Sequence, residues 1–357
     1  MNNTSGEITA LMVDISVIIP YHNESKTIET TLDLIAAQTL PPMEVLLINS
    51  SSTDDSFRVV QNWIEKNGRS KGTIYRNLDE GTNVPGSSMN VGIRRATSNI
   101  LAFMDCGLLF DRDWLQNQMD YMQAVGGDVV SGLCHFEGTT LFDKSAIAQT
   151  YGYQRSRPTV PSSLVKKSVF EKTGLFLEKR RAGHDVDWVN KLAREKIRRD
   201  VNHNVWIRYN GINYAKSLKD IIRKTIRYSE NTVGLHNYYA HHIYGFFLLS
   251  LAVVYVIKIR FFRPWPYNEY IPLAHIDKLW LYVNMQSALL TLLVYTIIRG
   301  YLIPLIKSRN SNIFRNEPLS VLTLPVIGFV IDAGRVIGYV KGIFRFLRNK
   351  MNKPVAA

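Results

Sequence analysis

The run Ile15-Ser16-Val17-Ile18-Ile19-Pro20-Tyr21-His22-Asn23-Glu24 decides how this chain folds. Ile15 to Ile19 is short, apolar and mostly β-branched, and Pro20 ends it. Such a run is the mark of a strand buried on both faces, as in a parallel sheet. Tyr21 to Glu24 is then the loop at its carboxyl end. Asn23 or Ser25 caps the helix that follows, with Ile28, Leu32, Ile35 and Ala36 on one face until Pro41 and Pro42 stop it.

The same alternation continues outward. Val45 to Ile48 forms a second buried strand, Ser50 to Thr53 a turn, and Val59, Val60 and Trp63 mark a second helix, after which Thr73 to Tyr75 suits a third strand. A helix through Met89 to Ala96 leads to the strand Ile100 to Met104, which ends at Asp105. Asp111 begins another helix through Trp114, Leu115 and Met122, and Val129 and Val130 form one more strand. This order predicts an α/β domain, a mostly parallel sheet with right-handed crossovers flanked by helices. Ligands bind such sheets beyond the carboxyl ends of the strands, where Tyr21 to Glu24, Asn49 to Asp54 and Asp105 emerge. The segment from Thr139 to Ser163, rich in Gly, Pro and Ser, is expected to be irregular and substrate-facing. Val165 to Gly174 and Asp185 to Glu195 read as helices.

Charge divides the chain. Residues 1–200 carry 23 Lys and Arg against 24 Asp and Glu, a net −1, whereas the remainder carries 20 against 6, a net +14. A neutral front joined to a basic, apolar rear fits a soluble domain held at an anionic lipid surface and argues against nucleic acid. No zinc finger or RNA-binding aromatic signature is present. The two cysteines, Cys106 and Cys134, are too few for a disulfide framework and lack the spacing of zinc ligands, which fits a reducing compartment. The first dozen residues have no Lys or Arg and no apolar run, unlike a secretory signal. Residues 216–238 form a basic, amphipathic juxtamembrane helix with Lys216, Lys219, Arg223, Lys224 and Arg227. Three apolar runs follow. Ile243 to Ile257 approaches the length a bilayer needs, and Leu279 to Ile298 meets it without a charge. Leu319 to Phe346 contains Asp332, Arg335 and Lys341 together with Gly328, Gly334, Gly338 and Gly342, a spacing that permits close helix packing. The first two are expected to span; the third spans, re-enters or lies in the interface. The basic tail after Phe344 favours the cytoplasm.

Four elements of the front part resemble the family 2 glycosyltransferases. Val17 to Glu24 is similar to that family's opening strand and loop. Asn49-Ser50-Ser51-Ser52-Thr53-Asp54 stands where the family has two aspartates before its turn, and Gly86-Ser87-Ser88-Met89-Asn90-Val91-Gly92 resembles its segment of small residues and asparagine. Asp105-Cys106-Gly107 occupies the place of the aspartate, any residue, aspartate motif. Phe170 to Phe176 followed by Gly183-His184-Asp185-Val186-Asp187-Trp188 resembles the glycine and phenylalanine turn ahead of an acidic helix start.

The resemblance implies a GT-A type, Rossmann-like domain over residues 14–215, between a polar extension at 1–13 and, after the juxtamembrane helix, a membrane region at 239–357 with two or three hydrophobic helices. It implies an inverting transfer from a nucleotide-sugar donor, with Asp185 as the general base and Asp187 as its catalytic neighbour. Pro20, Tyr21, Asn23, Glu24, Asn49, Ser50, Asn90 and Asp105 are the implied nucleotide-sugar contacts. Asn90 serves equally well as a packing residue, and the serines as turn residues. Asp105 is also the implied ligand of a divalent ion, Mg2+ or Mn2+, although Gly107 replaces the second carboxylate. Asp111 and Asp113 would restore that pair, but they stand at a helix start where carboxylates are favoured anyway. Lys224, Arg227 and Tyr228 match loosely the glutamine, arginine and tryptophan motif of processive members and otherwise read as lipid-facing. The expected acceptor is lipid-linked or a glycan, met at the cytoplasmic face of the cell membrane. The missing carboxylates at Asn49, Ser50 and Gly107 leave a second reading, a catalytically degenerate membrane scaffold.

Overall fold

The computed structural model describes residues 13–68, 72–210, 216–235, 285–309 and 311–351. The polar N-terminal extension lies almost wholly outside these residues, as do the apolar run Ile243 to Ile257 and the linker after it. The described chain runs β1 (Val13–Tyr21), α1 (Ile28–Ala36), β2 (Pro42–Asn49), α2 (Ser56–Asn67), β3 (Ile74–Leu78), α3 (Pro85–Arg95), β4 (Ile100–Phe103), β5 (Leu108–Phe110), α4 (Trp114–Val125) and β6 (Val129–Glu137). It continues with α5 (Leu141–Thr150), β7 (Ser156–Lys166), α6 (Val169–Thr173), α7 (His184–Arg194), β8 (Arg199–Asn210) and α8 (Leu218–Thr232). After the undescribed stretch come α9 (Met285–Tyr295), a wider π turn at Thr296–Leu302, α10 (Ile303–Ser308), the short α11 (Ile313–Asn316) and α12 (Ser320–Met351).

The eight strands form one sheet in the order β3-β2-β1-β4-β7-β6-β8-β5. β1 is its centre of gravity. Val17 and Ile19 pack with Leu32, Ile35, Val45 and Leu47 on one face, while Ile18 packs with Leu46, Ile93 and Phe103 on the other. β1 pairs in parallel with β2 and β4, and β2 with β3. Their carboxyl ends therefore lie along one edge, with Tyr21 opposite Asn49.

Beyond β4 the expectations need correction. β7 runs antiparallel between β4 and β6, and β5 antiparallel to β8, while β6 and β8 pair in parallel, so the sheet is mostly parallel, as expected, with antiparallel strands at β7 and β5. The stretch from Thr139 to Ser163 is not irregular: it holds α5 and most of β7. α5 opens on a capping box in which Thr140 and Asp143 satisfy one another's backbone N–H groups. β7 was hidden by its prolines. Its pairing with β6 breaks between Ser131 and Leu133, and Pro161 sits in that irregularity, where no ladder N–H is required. Val165 and Lys166 complete β7, and the helix expected there shrinks to α6.

The rear of the chain docks on this domain. α12 is one continuous helix and lies along α8. A side chain at Gly338 would stand 2.3 Å from the Ile226 carbonyl oxygen, and one at Gly342 2.4 Å from Val233, so only hydrogen fits between the two backbones. Arg299, from the π turn, is 3% exposed and pairs with Asp332 of α12 at 2.6 Å. Gln149 of α5 donates to the carbonyls of Arg299 and Leu324, which ties α5, the π turn and α12 together.

Candidate active site

Three loops build one wall of the crevice at the carboxyl edge. Asn23 adopts a left-handed backbone with φ 57°, and its Oδ1 accepts from the Thr53 amide at 2.7 Å. The Glu24 amide donates to Ser56 Oγ at 2.7 Å, and the Ser25 amide to Asp54 Oδ2 at 3.2 Å. Asp54 is only slightly buried. Desolvation raises its pKa, but hydrogen bonds from Ser56 and Ser25 outweigh that and hold it at about 2. Asn49 Nδ2 donates to Asp79 at 2.7 Å, and its Oδ1 accepts from the Ser52 amide at 3.0 Å. Ser50 Oγ donates to Ser88 Oγ at 2.7 Å, while its carbonyl accepts His22 Nδ1 at 2.8 Å. The loops after β1 and β2 are thus stapled into one rigid rim, with Pro20 partly exposed at its base.

The floor holds acidic groups. Asp105, two residues past the end of β4, accepts the Tyr209 hydroxyl at 2.7 Å. Burial pushes its carboxyl up, the Tyr209 bond and the charge on His184 pull it down, and Asp185 pushes it up again. Glu24 is raised as well, by burial first and then by the charges of Asp105 and Asp54, against the bond from Thr27. Glu24 thus feels the charge of Asp105, and Asp105 that of Asp185, although the three come from the loop after β1, the end of β4 and the start of α7. Behind Asp105, the Tyr209 ring stacks on Phe136 at 5.3 Å, and Phe136 on Tyr151 at 3.8 Å.

The opposite wall is α7 and α8. Gly183 caps α7 in a left-handed conformation, φ 84°, where a side chain would meet Leu235 at 2.7 Å. Asp185 follows in the first turn and is exposed. His184 Nδ1 is buried without a hydrogen-bond partner among the described residues. Arg180 Nη1 donates to the carbonyls of Asn231 and Val233, at 2.7 Å each, and so caps α8 from the loop that leads into α7. On α8, Lys224 Nζ stands 5.1 Å from the centre of the Tyr228 ring, and Tyr228 has Asp185 and Asp105 among its electrostatic neighbours. Desolvation, aided by the Arg227 charge, lowers Lys224 to about 6.

Not every sequence-derived residue reaches the crevice. Tyr21 is 2% exposed and donates to Asn77 at 2.7 Å within the core beside α1 and α2. Asn90 is fully buried. It donates to the Phe176 carbonyl at 2.9 Å and to Glu178, and accepts the Phe176 amide at 3.0 Å, so it pins the segment that leads into α7. Asp187 pairs with Lys191 at 3.0 Å, and Lys191 also donates to the Leu175 carbonyl. Tyr209, Asp79 and Ser88 were missed. The alternation Val205, Ile207, Tyr209 was the available signal for Tyr209, since Val205 and Ile207 are buried on the same face of β8.

Metal binding meets a sparse donor set. Among the described residues, no three His, Cys, Asp or Glu side chains stand close enough to share an ion. Gly107 has φ +77°, a conformation that disfavours a side chain even though one there would meet Thr27 only at ordinary contact, 3.7 Å. Asp105 alone fits an ion of the Mg2+ kind, which takes one or two carboxylates and completes its shell with phosphate oxygens and water.

A profile described as Glycosyl transferase family 2 matches residues 16–210. Glycosyltransferase AglE of Haloferax volcanii is 24% identical over 63% of this chain and 75% of its own. Validoxylamine A glucosyltransferase of Streptomyces hygroscopicus subsp. limoneus is 32% identical, but over only 34% of this chain and 26% of its own. Among solved structures, mannosyltransferase PcManGT of Pyrobaculum calidifontis, in complex with GDP-Man and Mn2+, superposes with a TM-score of 0.52 at 17% identity. That likeness covers 94% of this chain and 89% of the other, and shows a shared GT-A type fold. Because the profile covers more than half of its length, the chain belongs to glycosyl transferase family 2 and is a glycosyltransferase.

Proposed function

We propose that the protein transfers a sugar, with inversion, from a nucleotide-sugar donor to the hydroxyl of a lipid-linked or glycan acceptor. The observation that supports this reading is that the Asp185 charge, from a helix start, acts on the Asp105 carboxyl at a strand end. Pro20, Asn23, Glu24, Asn49 and Ser50 form or support the rim over which the nucleotide lies, and Asp105 faces its ribose and diphosphate. A carboxylate floor repels a diphosphate. Arg227 on α8 opposes that repulsion from the other wall, and a divalent ion, when bound at Asp105, would neutralise the charge that develops on the leaving diphosphate. The Mn2+ bound to PcManGT supports such a requirement. Asp185 takes the proton of the acceptor hydroxyl as its oxygen attacks the anomeric carbon from the side opposite the diphosphate. Asp187 acts one step removed, by fixing Lys191 and the pitch of α7.

The membrane assignment rests on apolar helices. Leu289–Ser308 and Ser320–Arg348 are long and apolar enough to cross a bilayer. We place the catalytic domain on the cytoplasmic face, with the runs Ile243 to Ile257 and Leu279 to Ile298 as crossings. The test is an assay of the full chain in detergent with a panel of nucleotide sugars, Mg2+ or Mn2+, and a lipid extract, with the anomeric configuration of the product read by NMR. Transfer with inversion to a lipid-borne acceptor is the expected result. Nucleotide binding without transfer to any acceptor would point to the scaffold reading instead.

A further inference from the structure

We infer that α12 lies flat on the membrane with one face in a single leaflet, although it is long enough to cross. At a rise of 1.5 Å per residue its 32 residues would span about 48 Å. Length is not the deciding quantity here, because the two faces of the helix differ along its whole course.

One face is packed on the catalytic domain. Ile327 and Ile331 are buried with Ala146 and Ile147 of α5 and Ile221 of α8. Gly334, Gly338 and Gly342 then press against Thr225 and Ile226 of α8 and Val233 just after it, and Arg345 pairs with Glu230. The opposite face is an apolar stripe. Leu322, Val326 and Phe329, and then Val336, Val340 and Phe344, recur every three or four residues, with the half-buried Ala333 between the two sets, and each of the six is between 42% and 69% exposed. Lys341 and Arg348 are exposed beside the stripe.

A crossing of α12 would carry α8 into the hydrocarbon, because the two are in contact from Gly334 to Arg345. α8 bears Asp220, Arg223, Arg227 and Glu230, charges that the hydrocarbon of a bilayer excludes. It also forms a wall of the crevice. The stretch of α12 before that contact, Ser320 to Ala333, is too short to span by itself. An exposed apolar stripe edged by cations, backed by a polar domain, fits a surface of anionic lipid headgroups with the stripe reaching into the acyl boundary. α8 is thereby held between the leaflet and the crevice, so the crevice opens at the lipid surface.

Nitroxides at single cysteines along α12 test this, in the full chain with Cys106→Ala and Cys134→Ala, reconstituted in phosphatidylcholine and phosphatidylglycerol vesicles. A flat helix gives immersion depths that oscillate with a period of about 3.6 residues, deepest at Leu322, Val326, Phe329, Val336, Val340 and Phe344 and confined to one leaflet. One smooth maximum near the middle of the helix would overturn the inference. So would spin coupling between copies across the stripe, which would make a second chain its occupant. The wild-type chain supplies an independent readout should the cysteine-free background fail to fold. In sealed vesicles with the catalytic domain outward, trypsin should cut at Arg315 and Arg348 from the same side; protection of either until the vesicles are lysed would overturn the inference.

Discussion

The two walls of the crevice are built on opposite principles. On the side of β1 and β2, polar side chains are consumed by one another: Asn23 by Thr53, Asp54 by Ser25 and Ser56, Asn49 by Asp79 and Ser52. On the side of α7 and α8, groups able to do chemistry are left unsatisfied or facing solvent. Asp185 is exposed, and His184 Nδ1 has no hydrogen-bond partner among the described residues. In the proposed function, the rim that holds a flat nucleotide gains from rigidity, and internal hydrogen bonds supply it. The wall proposed to take up a proton keeps its acceptor open. Asn90 joins the two, fixing α3 behind the rim to the segment that enters α7.

This contrast makes separable predictions. The largest effect is expected at Asp185→Asn on the open wall: transfer falls by about 10²- to 10⁴-fold while Tm and nucleotide affinity stay put, because no internal bond is lost. Turnover and calorimetry on the same sample check it, and a collapse of Tm would erase the distinction between the walls. Asn90→Ala at the joint should instead cost about 1–3 kcal/mol of stability, since the buried Phe176 amide loses its acceptor; urea unfolding measures this.

Tyr209→Phe lies between these extremes. The Tyr209 hydroxyl lowers the Asp105 carboxyl, so its removal raises that carboxyl further. The acid limb of the pH–rate profile should therefore move to higher pH, with little change on the alkaline side. An unmoved acid limb would show that Asp105 does not titrate in the reaction. The smallest effect is expected on the stapled wall, at Asp54→Asn. Asp54 is held at about 2, below its unfolded value, so its contribution is present above roughly pH 4 and disappears as pH falls through 2. Because the group is largely exposed, the difference at neutral pH should stay below about 1 kcal/mol. Melting curves of the two proteins from pH 7 to 2 should converge at the acid end.

Much of the first half was legible because its signals are local. Val17, Ile18 and Ile19 announce a strand buried on both faces, and Asp105 at the end of Ile100 to Met104 announces a carboxylate at the ligand edge. β7 and β8 were not legible. Pro158, Pro161 and the serines of β7 obscure its period, and the strand exists because β4 and β6 offer ladders on both sides. The positions of Asp105 and Asp185 along the chain were plain, but their meeting depends on Asn90 and Arg180 holding the approach to α7 from elements far away in sequence. The glycines of α12 likewise promised a close helix contact without naming the partner. Local composition specifies which segments are apolar, turning or acidic, because those properties belong to single side chains. Which wall is saturated, which carboxylates sense each other, and which face of α12 remains exposed follow from long-range packing, because burial and pairing are properties of two segments at once.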